Sequence, residues 1–354
     1  MKKTSKIMSL VLAGAMVLSM TACAGNTAET TSAAAKTQET AADTASKAEE
    51  TTGAEASESE TAAKAEGTTY KIGVLQLVQH TALDAANDGF IAALDDAGIA
   101  YEVDQQNASG DQSACQTVAS KFANEKKDLI LAIATPAAQA MVGAVEDTPV
   151  LITAVTDPAE SGLVDTNEKP GANVTGTSDL TPVKEQIDLL KQLVPEAKTV
   201  GVLYCSAESN SKIQADMAKE AIAAAGMESK EYTVSSSNEI QTVVQSMVGA
   251  VDAVYAPTDN VIAAGMATVG MVAGDNNLPV ICGEAGMVQN GGLATYGIDY
   301  YQLGYMTGQQ AVKILTEGAS PADMPIEYLP VEKCELTVNE ETAATLGIDV
   351  SNLK

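Results

Sequence analysis

The sequence predicts an α/β protein of two lobes, each a parallel sheet flanked by helices, and three observations carry that prediction. Short apolar runs recur at Ile72–Val78, Leu129–Ala134, Val150–Val155, Val200–Cys205, Ala253–Tyr255 and Val280–Cys282. Continuous runs of this length suit strands buried on both faces of a parallel sheet. Amphipathic stretches separate them, at Leu83–Ala97, Ser113–Glu125, Val183–Val194, Lys212–Ala225, Ile240–Val248, Val261–Ala273 and Leu303–Leu315, so strand and helix alternate as right-handed crossover units require. The series reaches Asn173–Ser178, then restarts at Thr199 after a helix over 181–196, which places the lobe boundary near Asp179–Pro182.

Helix punctuation supports the alternation. Gly98 and Gly226 stand where helices end on glycine. Asp111, Thr181 and Asn238 stand at expected N-caps, and Pro136 and Pro182 in first turns, where a missing N–H costs nothing. Beyond Leu293–Tyr300 come a helix over 301–317, a proline-marked segment Pro321–Pro330, a strand-like Val331–Val338 and a short helix near Glu340–Leu346.

The N-terminal part has a different texture. Lys2, Lys3 and Lys6 precede an apolar run, Ile7–Met20, shorter than the ~20 residues a membrane-spanning helix needs. Small residues follow, then Cys23. This is the pattern of a secretory signal peptide over 1–22, and Met20-Thr21-Ala22-Cys23 resembles a bacterial lipobox with methionine in place of the common leucine. Lipidation of Cys23 by two anchors would hold the protein on the extracytoplasmic side of the cell membrane without spanning it. Residues 23–67 are rich in Ala, Thr, Ser and Glu and lack aromatics. Such a stretch buries too little apolar surface to offset its ordering entropy and is expected to be a disordered acidic tether.

A net charge of −27 excludes a nucleic-acid partner, which needs a basic face. There is no GxxxxGK[ST], GxSxG or HExxH, no GxGxxG after a strand, and no His/Cys cluster. No enzyme, metal or cofactor is therefore expected. Cys115, Cys205, Cys282 and Cys334 show neither CxxC nor zinc spacing, and their pairing is left open.

Ligands of open parallel sheets bind beyond the carboxyl ends of the strands. With two such lobes, that rule nominates Gln79, His80, Asn107, Thr135, Pro136, Ala137, Thr156 and Asp157 in the first, and Ser206 to Ser211, Thr258, Asp259, Asn260, Gly283 and Glu284 in the second. Ser209, Asn210 and Ser211 are the polar run among these. His80 is the sole histidine and has no nucleophile beside it. Tyr204, Tyr255, Tyr296, Tyr300 and Tyr301 are aromatic candidates, with core packing as the competing role.

Several blocks, in order across 70–348, resemble ABC-importer substrate-binding proteins of the tryptophan/tyrosine type, within the type I periplasmic-binding-protein fold. They are Lys71-Ile72-Gly73-Val74-Leu75-Gln76, Ala132-Ile133-Ala134-Thr135-Pro136-Ala137-Ala138-Gln139, Thr156-Asp157-Pro158 and Pro170-Gly171-Ala172-Asn173-Val174-Thr175-Gly176. Ser209-Asn210-Ser211, Pro257-Thr258-Asp259-Asn260, Gly291-Gly292-Leu293-Ala294 and the glycine-bearing helix after Tyr301 complete the set. The resemblance implies two Rossmann-like lobes joined by a multi-strand hinge. The lobes are drawn as 68–180 with a return segment at about 294–325, and 181–293 with a C-terminal segment at about 326–354. It also implies a permease and its ATPase as partners, a monomer, and an aromatic amino acid as ligand. Another amino acid, a nucleoside or a sugar remain alternatives, as does a ligand sensor for a membrane receptor. A zwitterion would set its carboxylate on the helix start at Thr135 and its ammonium on Asp157 or Asp259.

Overall fold

The structure is a computed structural model and describes residues 67–353. The expected leader, Cys23 and the tether up to residue 66 lie outside the described residues. Among the described residues no helix is long and apolar enough to cross a membrane.

The first lobe follows the chain as β1 (Tyr70–Gln76), α1 (Thr81–Asp96), β2 (Tyr101–Asn107), α2 (Gln112–Glu125), β3 (Leu129–Ile133), α3 (Thr135–Val142), β4 (Val150–Val155) and β5 (Val174–Ser178). β3, β4 and β5 are buried throughout, as continuous apolar or small-residue runs require. β2 is half polar because it lies at the sheet edge, where one side faces water. The chain's two phenylalanines, Phe90 of α1 and Phe122 of α2, are fully buried against this sheet. The Phe122 ring lies over Gly73, where an added Cβ would stand 2.8 Å from it.

After α4 (Val183–Leu193), the second lobe repeats the scheme with β6 (Thr199–Cys205), α5 (Ser209–Ala224), β7 (Glu228–Val234), α6 (Ile240–Met247), β8 (Ala253–Ala256), α7 (Asn260–Ala264), α8 (Met266–Asp275), β9 (Val280–Cys282), α9 (Ala285–Gln289) and β10 (Ala294–Gly297). The chain continues as α10 (Tyr300–Glu317), β11 (Glu327–Tyr328), β12 (Glu335–Val338) and α11 (Glu340–Leu346). The two sheets run β2-β1-β3-β4-β5-β11 and β7-β6-β8-β9-β10-β12. All pairs are parallel except β10 with β12. These are two Rossmann-like sheets related by repetition, as the alternation predicted.

Three crossings join the lobes: β5 to α4, β10 to α10, and β11 to β12. The return to the first lobe begins later than residue 294, because Ala294–Gly297 pairs with β9 and β12 inside the second sheet. The first element back is α10, which packs on α1 through small residues: a Cβ on Gly304 would collide with Ala86 O, and one on Gly308 would stand 2.6 Å from Ala93 Cβ. β11 then pairs with β5, so the C-terminal part joins the second lobe only from β12 onward.

Caps follow the predictions unevenly. Asp111 accepts from Ser113 N at 2.6 Å and Ala114 N at 3.2 Å. Pro182, not Thr181, precedes α4, and Asn238 lies within a 3₁₀ turn before α6. All four described cysteines are free thiols.

Candidate functional site

The carboxyl ends of both sheets face one cleft, and the lobes touch across it. Gln214 Nε2 of α5 donates to Thr156 Oγ1 at 2.9 Å, and Gln139 Nε2 of α3 to Ser209 Oγ at 3.3 Å. Gln112 Nε2 donates to Ala207 O at 3.1 Å. His80 Nε2 lies 3.3 Å from Asn260 Oδ1. A small, largely enclosed cavity of about 10 Å³ remains between the lobes, lined by His80, Leu83, Ala154 and Asp179 on one side and by Asn210, Asn260 and Glu284 among others opposite, with Tyr300 at the hinge end. A groove of about 380 Å³ adjoins it, sharing Asn260 and lined by Leu77, Val78, Val261 and Ala264 over a polar rim of serines.

The first-lobe wall departs from relaxed backbone where strands end. Ala134 (φ 83°) and Ala154 (φ 54°) both have positive φ, which L-residues adopt at a cost of about 1–3 kcal/mol. Ala154 sits where the β4–β5 register breaks between Ile152 and Val155, so its backbone leaves the ladder beside the cavity it lines. Ala134 leads into α3, whose first turn holds Thr135 and Pro136. Thr135 is fully buried, yet its hydroxyl has no partner. Buried hydroxyls ordinarily have one. His80 Nδ1 and Asp179 Oδ1 are likewise buried and unpartnered. Asp179 follows β5, its other oxygen accepting from Tyr300 OH at 2.7 Å.

On the second-lobe wall the acids are largely tied into the fold. Asp259 caps α7, accepting from Ile262 N at 2.8 Å, and also accepts from Cys205 N of β6. Glu284 caps α9, accepting from Met287 N at 2.8 Å and from Gly286 N. Glu208 Oε2 gathers Asn260 Nδ2 at 2.7 Å, Asn260 N at 3.2 Å and Asn210 Nδ2 at 3.2 Å.

No lysine or arginine lines the enclosed cavity. Burial drives its carboxyls up: Asp179 to about 6, partly offset by the Tyr300 hydrogen bond, and Glu284 to about 7, partly offset by its backbone donors. Glu208 rises to about 8 through burial and the neighbouring Asp259, which burial also raises. Burial lowers His80, against the opposing pull of Asn260. His80 is therefore neutral here, and the cavity concentrates acceptors and carboxyls.

The nominated residues separate into groups. His80, Asn210, Asp259, Asn260 and Glu284 line the enclosed cavity. Thr135, Pro136, Ala137 and Thr156 are buried in the first-lobe wall, and Ser209 and Ser211 lie in the first turn of α5. Gln79 is exposed. Asp157 is a turn residue, its Oδ1 accepting from Ala159 N at 3.1 Å, Glu160 N at 3.1 Å and Asn167 Nδ2 at 3.0 Å. Of the tyrosines, Tyr300 reaches the cavity. Tyr255 OH donates to Gln186 Oε1 at 2.7 Å and Tyr204 OH to Glu231 Oε1 at 2.9 Å, both inside the second lobe, and Tyr301 is exposed. Asp179 and Glu208 were not singled out by sequence reasoning. Asp179 sits at a strand's carboxyl end and obeys the same rule, but it coincided with the lobe boundary. Glu208 was hidden inside the loop Ser206 to Ser211.

The sequence matches the family described as ABC transporter substrate binding protein over residues 71–353. It is 41% identical to a tyrosine-binding protein of Clostridioides difficile (strain R20291), over 98% of this chain and 94% of that one. Among solved structures it resembles a domain from Streptococcus pneumonia in complex with L-Trp, at TM-score 0.77 and 39% identity, covering 80% of this chain and 96% of the other. It also resembles the ligand-free, open structure of a substrate-binding protein with adhesive properties from Clostridium difficile, at TM-score 0.62 and 46% identity, covering 81% and 97%.

Proposed function

The chain belongs to the ABC transporter substrate-binding protein family, and we propose that it captures an aromatic amino acid, tryptophan or tyrosine, and delivers it unaltered to the permease and ATPase of an importer. The observation that carries the ligand class is the cavity's polarity. It is closed by residues of both lobes, holds several carboxyls and lacks any lysine or arginine. Such a site favours a cationic group and disfavours an anion without one. Asp179 Oδ1, buried and unpartnered beside Tyr300, receives the α-ammonium. The first turn of α3 receives the carboxylate, with the free Thr135 hydroxyl as an added donor. The ring lies toward Asn210 and Asn260, where the adjoining groove supplies Leu77, Val78, Val261 and Ala264. The names of the relatives, one binding tyrosine and one holding L-Trp, support the same class.

The mechanism is closure. The chain superposes better on the L-Trp complex than on the open, ligand-free relative, although the latter is nearer in sequence. That ordering supports a closed arrangement here, as do the hydrogen bonds bridging the lobes. The enclosed cavity, about 10 Å³, is smaller than an aromatic amino acid, so entry and occupancy both require the walls to part about the three crossings. A ligand bridging both walls then shifts the equilibrium by its differential affinity for the closed form. Lipidation at Cys23 and the tether over 23–67 would hold this trap near the permease on the extracytoplasmic face.

The test is a thermal-shift and calorimetric screen of the purified chain against amino acids, nucleosides and sugars. A ligand at 100 times its Kd adds about 2.7 kcal/mol of stability. Stabilisation by tryptophan or tyrosine is expected. Stabilisation by a nucleoside or sugar alone would overturn the ligand class and leave family membership intact.

A further inference from the structure

Two side chains facing the cavity from opposite lobes present acceptors whose orientation is fixed by a third. Asn210, 3% exposed, directs its Nδ2 at Glu208 Oε2, Ser211 Oγ and Thr258 O, each 3.2 Å away. Turning the amide over would set its oxygen against a carboxyl oxygen and a carbonyl, so Oδ1 is the atom left over, and it is buried without a partner. Asn260 is oriented in the same way, its Nδ2 donating to Glu208 Oε2 at 2.7 Å. Asn260 Oδ1 therefore faces His80 Nε2 as an acceptor, 3.3 Å across the cleft. That places the imidazole proton on Nε2 and leaves Nδ1, buried and unpartnered, as a lone pair. Glu208 thus positions both amides, and through Asn260 it sets the tautomer of a histidine in the other lobe.

Acceptors locked in this way require a donor, and a ligand that displaces solvent from the cleft must bring one. Resting on the aromatic amino-acid reading above, we propose that Asn210 Oδ1, with His80 Nδ1 as second acceptor, reads a hydrogen-bond donor on the ligand's ring, so that the site selects tryptophan and tyrosine over phenylalanine. The indole N–H and the phenol O–H are such donors; the phenyl ring has none. A ligand without the donor leaves desolvated acceptors unpaired, the case in which binding sites discriminate most strongly.

The experiment measures Kd by calorimetry for tyrosine, O-methyltyrosine, phenylalanine, tryptophan and 1-methyltryptophan, on the unaltered chain and on Asn210→Ala. Tyrosine and tryptophan are expected to bind the unaltered chain about 10- to 100-fold more tightly than their donor-free counterparts, and Asn210→Ala to bring the tyrosine-to-phenylalanine ratio toward one. A change in overall stability alone would not move that ratio. Equal affinity of the unaltered chain for tyrosine and phenylalanine overturns the donor reading while leaving the aromatic amino-acid function standing. Failure of every aromatic amino acid to bind overturns that function first, and this inference with it.

Discussion

The two walls of the cleft treat their polar groups in opposite ways. On the first-lobe side, Thr135 Oγ1, His80 Nδ1 and Asp179 Oδ1 are buried with no partner, and the backbone at Ala134 and Ala154 is held at positive φ. On the second-lobe side, Asp259 and Glu284 each commit both carboxyl oxygens to the backbone, and Glu208 organises two amides. One wall holds free groups on a strained frame; the other is mostly self-satisfied, leaving Asn210 Oδ1 and Glu208 Oε1 over. A capping acid at a strand end is therefore part of the scaffold, and ligand contact is better sought among atoms the fold has not used.

That contrast breaks most sharply at Asp179. Asp179→Asn keeps the shape and the hydrogen bond from Tyr300 but removes the charge facing an ammonium. Affinity for the amino acid is expected to fall about 100-fold, a charged hydrogen bond contributing about 1.5–3 kcal/mol, as calorimetry would read. Unchanged affinity would move the ammonium to the opposite wall.

A smaller effect separates the walls by what each substitution disturbs. Thr135→Val deletes a hydroxyl that bonds nothing in the protein, so ligand affinity should drop about 10-fold with the unfolding midpoint of the free protein held. Glu284→Ala deletes the cap of α9, so unfolding free energy should fall by about 1 kcal/mol or more, seen in denaturant melts without ligand. If Thr135→Val destabilises the free protein as much as Glu284→Ala does, the distinction between free and committed groups is lost.

The last effect, read on the free protein, is a pH dependence. In the unfolded chain the carboxyls ionise above about pH 4. Folded, Asp179, Glu284 and Glu208 keep their protons to about 6, 7 and 8, and Asp259 is raised as well. The folded state thus binds more protons across that window, and stability falls as pH rises through it. His80, lowered by burial, acts oppositely below its ordinary value, but as a single group. The midpoint should be lower at about pH 8 than at about pH 5.5 by about 3 °C or more, and Glu208→Gln should flatten the upper part of the curve. A midpoint that climbs steadily to pH 8 would contradict the burial of these acids.

Much of the architecture was legible because its cause is local. Continuous apolar runs gave β1, β3, β4, β6, β8 and β9, and the interruption near Pro182 marked the second lobe. β2 and β7 carry no apolar run, because edge strands need only one protected side. The strand-end rule nominated His80, Asn210, Asp259, Asn260 and Glu284, which line one cavity, without any knowledge of contacts.

What the sequence alone determined, then, is the kind of fold, its repetition and its family, since hydrophobic period and turn chemistry act over a few residues. What only the tertiary structure decided is which of many strand-end polar groups are spoken for. Asp157 and Asp179 look alike in the sequence. One is consumed by a turn three residues long, while the other keeps an oxygen free because Tyr300, far along the chain, occupies only its partner. A hydrogen bond of that span exists only once α10 has returned to pack on the first lobe, and no local pattern can encode it.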